Sequence, residues 1–509
     1  MDKTILLIMI LSLVSKLIGF ARDLTLSYFY GASSVSDAFI ISMTVPSVIF
    51  SFVGAGISSG YIPIYSGIVK RYVHSQGCRF TNSLINLLFI LATVIAGVVL
   101  LLTRPIVLLF ASGFEGETLN MAVEFTKITV FSVYFTGLIY LFNSYLQVSG
   151  NYTVPALIGL PLNIITIVAI ILSFYLNKYL LPAGKVIAAM TQALIAYTFM
   201  HRAGFRYRPE LRIRDQQVRE MIWLAFPVIL GTSADQINIL VDKTIASAIS
   251  TGGISALEYA QRLILFVGDL FIYSVSTVLF PMISRLAAGN DIDGLKKAAI
   301  KAVNGINLLV LPVSVGSVVV ARPIVWLLFG RGAFDEAAAA MTTDALMYYS
   351  IGMFATGIRE VLVKVFFSLH DTKKPVLYSA VSMAINMILN LILSRFMGIG
   401  GLALASSISA MICTVLLMMS LRKKLSGFDI RIIYVSFFKT LHASLVMGLA
   451  TLLVYLLMSH IGYFTLALFA SITVGAVVYP IFLYLMNAAD FKEYVLVLRY
   501  KFKGPVCRR

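Results

Sequence analysis

Apolar residues run through this chain in long blocks separated by short polar turns. The stretches 83–102, 156–176 and 461–486 are mostly Leu, Ile, Val, Phe and Ala, each near or beyond the ~20 residues that carry a helix across a ~30 Å hydrocarbon core. Segments of this kind centre near residues 13, 47, 93, 137, 165, 191, 235, 270, 312, 356, 386, 409, 446 and 474. Alternating strands of ~10 residues, the mark of an outer-membrane barrel, are absent. The pattern predicts an all-α polytopic membrane protein of about fourteen transmembrane helices.

The polar turns alternate in character. Every second one is basic: Lys70, Arg71 and Arg79; then Arg202, Arg206, Arg208, Arg212, Arg214 and Arg219; then Arg285, Lys296, Lys297 and Lys301. Lys373 and Lys374 follow, then Arg422, Lys423, Lys424 and Arg431, then the tail with Arg499, Lys501, Lys503, Arg508 and Arg509. The intervening turns hold few cations, so the positive-inside rule predicts both termini in the cytoplasm.

Composition agrees: 59% of the 509 residues are hydrophobic and 12% charged, against about 25% charged in soluble domains. The net charge of +17 would suggest nucleic acid in a soluble protein; here the cations sit mostly in loops, and topology accounts for them. Cys78, Cys413 and Cys507 have neither metal-ligand nor redox spacing. Lys16 interrupts the first segment and no clean A-x-A site follows, so it reads as a retained helix rather than a signal peptide.

The chain repeats itself. "RPIVLLF" at 104–110 returns as "RPIVWLLF" at 322–329, "YIPIYS" at 61–66 as "LFPMIS" at 279–284, and "FTGLI" at 135–139 aligns with "ATGIR" at 355–359. The interval from Pro63 to Arg104 equals that from Pro281 to Arg322. Spans one to six therefore mirror seven to twelve in the same orientation, an arrangement that packs as two lobes around a central site. The expected division is an N-lobe over 1–203, a basic linker over 204–220, a C-lobe over 221–424, and two further helices with a basic tail over 425–509.

Several ionisable or amide side chains fall at membrane depth, where each charge costs ~2.5–3.5 kcal/mol on insertion scales. In "SKLIGFARD", Lys16, Gly19 and Asp23 share one helix face, with Arg22 adjacent. They form either a cationic cavity wall or an Arg22–Asp23 pair snorkelling at the outer interface. Glu258, Gln261, Arg262, Leu265 and Asp269 make one stripe on span eight, with Glu258 and Arg262 spaced to pair. Span ten carries Arg359, Glu360 and Lys364; span seven carries Asp235, Asn238 and Asp242; span eleven carries Asn386 and Asn390. The oxygens of spans seven and eleven suit a hard cation such as Na⁺, or else hydrogen-bond between helices. The natural partner for Lys16, Arg22, Arg262 and Arg359 is an anion of phosphate or pyrophosphate type. No G-x-x-x-x-G-K-[ST] motif is present, so energy is expected from an ion gradient, membrane potential or substrate flux rather than ATP bound to this chain.

"SKLIGFARD", "YFYGASSVSDAF", "YAQRL", "RPIVWLLFGRGAF" and "FFSLHDTKKPV" together resemble the MurJ/MviN family. These are lipid II flippases of peptidoglycan synthesis, within the multidrug/oligosaccharidyl-lipid/polysaccharide exporter superfamily. The resemblance implies two six-helix lobes, a final helix pair grooved for a polyprenyl tail, alternating access, and cavity cations on the lipid's pyrophosphate. It implies a transporter of the bacterial cytoplasmic membrane, not an enzyme. Carried over by motif, the substrate residues are Lys16, Arg22, Asp23, Asp37 of the DAF motif, and Arg262, with Arg359 added from the stripe on span ten. The family's sodium site maps to Asp242, Asn386, Asn390 and Ser406.

Two departures stand out. Many members carry an Arg pair where "VPSVIFSF" gives Phe50 and Ser51, and Gln261 stands where Gram-negative members have Asp. The expected function is flipping of undecaprenyl-pyrophosphate-linked saccharide, lipid II, by a monomer with membrane lipids around it and wall-synthesis proteins as candidate partners. Nucleic acid is not expected, nor a cofactor beyond Na⁺ or membrane-potential coupling. The alternatives are a flippase for another polyprenyl-linked oligosaccharide, a cation-coupled drug antiporter, for which the cavity would be acidic rather than basic, and a non-transporting scaffold for wall-synthesis enzymes.

Overall fold

The computed structural model describes residues 3–71, 74–212, 214–459, 464–487 and 491–492. The basic tail with Arg499, Lys501, Lys503, Cys507, Arg508 and Arg509 lies outside them, and so do the side chains of Asp235 and Asp269. The helices in chain order are α1 (Lys3–Tyr30), α2 (Ser34–Arg71), α3 (His74–Leu101), α4 (Thr103–Phe110), α5 (Gly116–Thr129) and α6 (Ser132–Val148). Then come α7 (Thr153–Leu157), α8 (Gly159–Tyr175), α9 (Leu180–Arg202), α10 (Gln216–Ile249), α11 (Gly253–Ala288) and α12 (Ile292–Val319). The series ends with α13 (Ala321–Phe329), α14 (Glu336–Ser368), α15 (Lys373–Lys424), α16 (Ile430–Ser459) and α17 (Phe464–Leu485).

Among the described residues, eight helices are long and apolar enough to cross a membrane, and the pair α5 and α6, bent by 46°, makes nine. Helices α1, α10, α11 and α14, with 28, 34, 36 and 33 residues, are equally long and carry the charged stripes.

Two compact units emerge: Met1–Ser255 with Arg331–Ala338, and Ala256–Gly330 with Ala339–Arg509. In the first, α2 is the hub and packs against α5, α6 and α10, while α1 lies along α8. Phe39, Ile41, Tyr61, Phe125, Leu141 and Tyr145 are buried there to within 2%. In the second, α11, α12, α14 and α15 bury Val303, Ile306, Leu362, Phe366 and Leu417 among them. Helices α16 and α17 pack on each other and both touch α12.

The sequence repeat reappears in the backbone. Helix α3 breaks at Leu102 (φ −112°, ψ 26°) before α4, and α12 breaks at Val320 (φ −112°, ψ 27°) before α13. Both breaks lie two residues ahead of the Arg of the R-P-I-V motif, whose proline is tolerated in the first turn of the new helix because it lacks the N–H that would go unbonded there.

The long run of α15 is two helices joined at a kink. Gly398 sits at φ 54°, ψ −133°, a region that essentially only glycine occupies. The chain folds back there, so that Ser382 Oγ donates to the Ser409 carbonyl at 2.8 Å and Asn386 Nδ2 to Ser406 Oγ at 3.2 Å.

Candidate functional site

Helix α1 turns one face, Ser15, Gly19 and Arg22, toward α8. The Arg22 guanidinium grips Asp23 through Nε at 3.0 Å and NH2 at 2.7 Å, both to Oδ1. Its NH1 donates to Asn163 Oδ1 of α8 at 3.2 Å, and Asn163 Nδ2 donates in turn to the Ser15 carbonyl at 3.3 Å. A Cβ on Gly19 would stand 3.3 Å from Asn163 Nδ2, so this glycine makes room for the amide within an unbroken helix. Arg22 and Asp23 side chains are 17% and 12% exposed. The pair is braced against a second helix, with the charge of each partner hydrogen-bonded. Lys16 is exposed on the same helix.

Asp37 lies in the first turn of α2 and is 1% exposed. Its Oδ2 accepts from Gly252 N at 2.7 Å, and its Oδ1 accepts from Ser255 N at 2.8 Å and Ser255 Oγ at 2.7 Å. It thus caps the start of α11 from a distance of more than two hundred residues in sequence, where orphan N–H groups and the helix dipole favour a carboxylate. Gly252 has φ 81°, and a Cβ there would clash with the Ala32 carbonyl oxygen, so the turn closes only with glycine. Ala333 N donates to the Tyr28 carbonyl at 2.8 Å, tying the 331–338 segment to the same corner.

In the second unit, Arg262 NH2 pairs with Glu258 Oε1 at 2.9 Å, one turn away, with side-chain exposures of 41% and 22%. Arg359 is half-buried and reaches the Cys413 thiol of α15. Lys364 Nζ stands 5.9 Å over the Phe280 ring, within the range of a cation–π contact.

The candidate cation ligands fall into two groups. In the second unit, Asn390 Nδ2 donates to Asn386 Oδ1 at 3.0 Å, and Asn386 donates to Ser406 Oγ as described. Both amides are buried, at 0% and 2%, and Asn390, Asn386 and Ser406 form one hydrogen-bonded chain in which each amide N–H meets the next residue's oxygen. In the first unit, Asn238 Nδ2 donates to Asp242 Oδ2 at 3.4 Å on α10. Among the described residues, no group of three or more His, Cys, Asp or Glu comes together.

The comparisons with known proteins bear on this arrangement. The family model described as "Lipid II flippase MurJ" matches residues 26–474. The chain belongs to the MurJ family. A relative from Vibrio cholerae named "Probable lipid II flippase MurJ" is 28% identical over 435 residues, covering 82% of each chain. One of the same name from Thermotoga maritima is 27% identical over 480 residues, covering 94% of this chain and 95% of its own. A solved structure titled "Lipid II flippase MurJ, inward closed conformation" superposes with a TM-score of 0.82 at 25% identity, covering 96% of this chain and all of the other. An inward-facing multidrug MATE transporter shares the fold at a TM-score of 0.69 and 14% identity. As a MurJ-family member the chain is a multi-span membrane transporter rather than an enzyme.

Against the MurJ pattern, Phe50 is where the sequence departs, and the structure gives the residue a packing role. Phe50 is 1% exposed and its ring fills the space over Gly137 of α6. Ser51 Oγ turns back to the Val48 carbonyl at 2.7 Å. Sequence reasoning missed Asn163 and Ser255. Asn163 was visible only as one amide in the apolar run "LPLNIITI", and Ser255 looked like any small residue in a turn.

Proposed function

We propose that this protein flips lipid II from the inner to the outer leaflet of the bacterial cytoplasmic membrane. The observation that carries the reading is Arg22: a guanidinium paired with Asp23 and aimed by Asn163, in a chain of the MurJ family. Guanidinium suits a pyrophosphate because it is always charged and binds two oxygens at once. Arg22, Arg262, Arg359 and Lys16 hold the pyrophosphate, with Asp23 setting the orientation of Arg22. Asp37 acts as a latch: its hydrogen bonds to residues 252–255 hold one state of an alternating-access cycle and break in the other.

The chain crosses the membrane fourteen times, with both termini in the cytoplasm. Residues 1–203 and 221–424 form the two lobes, 204–220 the linker, and 425–509 the pair that carries the polyprenyl tail, with the basic tail. Asp242 in the first unit and Asn386, Asn390 and Ser406 in the second are the candidates for Na⁺ coupling, and membrane potential is the alternative driving force. One observation favours a second reading. Phe50 buries a ring where many family members carry a cation, so a different polyprenyl-linked oligosaccharide fits a headgroup site with fewer charges.

Replacement of the resident flippase in a depletion strain tests the main reading. Growth on the wild-type chain and lysis on Arg22→Ala, at equal membrane levels, is the expected result. Lysis on the wild-type chain, with binding of another polyprenyl-linked oligosaccharide, selects the second. Normal growth on Arg22→Ala overturns the cavity mechanism.

A further inference from the structure

The basic linker between α9 and α10 is clamped rather than loose. Phe205 is fully buried, and two asparagines one turn apart on α3 hold the backbone that follows. Arg208 N donates to Asn82 Oδ1 at 3.1 Å and Asn82 Nδ2 to the Arg206 carbonyl at 3.4 Å. Asn86 Nδ2 donates to the Glu210 carbonyl at 2.7 Å, and Tyr207 OH donates to Asn86 Oδ1 at 2.6 Å. The clamp sets Arg206, Arg208, Arg212 and Arg214 in an exposed row beside α3. Arg79 Nε and Arg212 Nε lie 4.0 and 3.7 Å from the same Glu210 oxygen, so the row keeps a net positive charge. Exposed Arg219 continues it onto α10, one turn before Ile222.

Beside this row, α2, α3 and α10 enclose an apolar groove of about 230 Å³. Ile57, Leu84, Leu88, Leu91, Ile222 and Phe226 line it, and Leu84 to Leu91 alone extend it about 10 Å along α3. Its rim residues Ile222 and Phe226 are 52% and 57% exposed, and Trp223, next to Ile222 in the chain and outside the lining, is 73% exposed. Along α10, cations, then an exposed indole beside the groove, then a mostly apolar slot follow in the order met on passing from headgroups into acyl chains.

We propose that this groove binds one acyl chain of an anionic membrane phospholipid, with its phosphate on Arg219 and Arg212. The charge decides the class of lipid: a row of guanidinium groups discriminates for a headgroup with net negative charge over a zwitterionic one. The inference uses neither Arg22 nor the flippase reading, and stands apart from both.

Trp223 makes the site measurable, because the chain has 2 tryptophans and Trp326→Phe leaves one reporter. The full chain is placed in phosphatidylcholine nanodiscs, with bromine-labelled phosphatidylglycerol or bromine-labelled phosphatidylcholine added in increasing fractions. Quenching of Trp223 should half-saturate at about thirtyfold lower fraction for phosphatidylglycerol, the factor that ~1 kcal/mol for each of the two arginines provides. The double variant R212Q/R219Q should bring the two curves together. Leu91→Phe, which narrows the slot, should weaken quenching by both lipids while thermal unfolding confirms that each variant is folded. Equal quenching by the two lipids in the parent, or a phosphatidylglycerol preference that survives R212Q/R219Q, would overturn the proposal.

Discussion

Asn163 Oδ1 accepts a hydrogen bond from Arg22 NH1 at 3.2 Å, across 141 residues of sequence. The same amide holds the Ser15 carbonyl two turns earlier on α1, so one side chain fixes both the cation and the backbone that carries it. Asn163→Leu fills similar space and leaves Arg22 one partner short. A hydrogen bond to a charged group contributes about 1.5–3 kcal/mol. Thermal unfolding in detergent should fall by that order, and lipid II binding should weaken more than tenfold. Asn163→Asp keeps the acceptor and should retain more binding than Asn163→Leu; equal loss in both would show that the amide serves packing alone.

The cap on α11 yields a second expectation. Asp37→Ala removes all three hydrogen bonds and strands Gly252 N and Ser255 N in a buried corner. Each unsatisfied buried donor costs about 1–3 kcal/mol. A cysteine placed at Ser255 should become accessible to a thiol reagent in Asp37→Ala and stay protected with Asp37 intact. Gly252→Ala should produce the same exposure by a different route, since its Cβ would meet the Ala32 carbonyl.

Phe50→Arg would restore a cation at the departed position, and it should not improve function. The side chain is buried against Gly137, where an unpaired charge costs several kcal/mol. Low membrane yield and a lowered unfolding temperature are expected. A well-folded Phe50→Arg with raised lipid II affinity would instead place this position in the headgroup site.

Asp371, in the turn between α14 and α15, accepts from Lys424 Nζ at 2.6 Å and lies 3.9 Å from Lys374 Nζ. The Lys424 hydrogen bond, ahead of the other contributions, holds its carboxyl below the usual carboxylate range. A carboxylate depressed in the folded state contributes stability that is present above its unfolded pKa and is lost as pH falls through the folded value. Asp371→Asn should therefore lower the unfolding temperature at neutral pH. The difference from the parent should vanish in acid, below the ordinary range near 3.9; a constant difference across pH would assign the effect to shape instead of charge.

Periodicity and length alone determined much of this protein. Long apolar runs forced helices, because backbone groups in lipid must bond within their own segment. The motif spacing gave the repeat, later seen as paired breaks at Leu102 and Val320. Helix geometry also made Arg262 pair with Glu258, since four residues return the chain to the same face. The motifs that named the family were local strings, and so was the Arg22–Asp23 pair.

Tertiary structure decided what those strings touch. Nothing in "DAF" says that Asp37 meets Ser255 more than two hundred residues on, and nothing in an apolar run singles out Asn163 as the partner of Arg22. The fold-back at Gly398 brings Ser406 to Asn386; sequence offers the glycine but not which helix faces meet. Phe50 read as a lost charge until its ring was found over Gly137. The physical reason is the same in each case: hydrophobic pattern fixes which face of a helix avoids water or faces protein, while the partner across that face is set by packing, which local sequence does not encode.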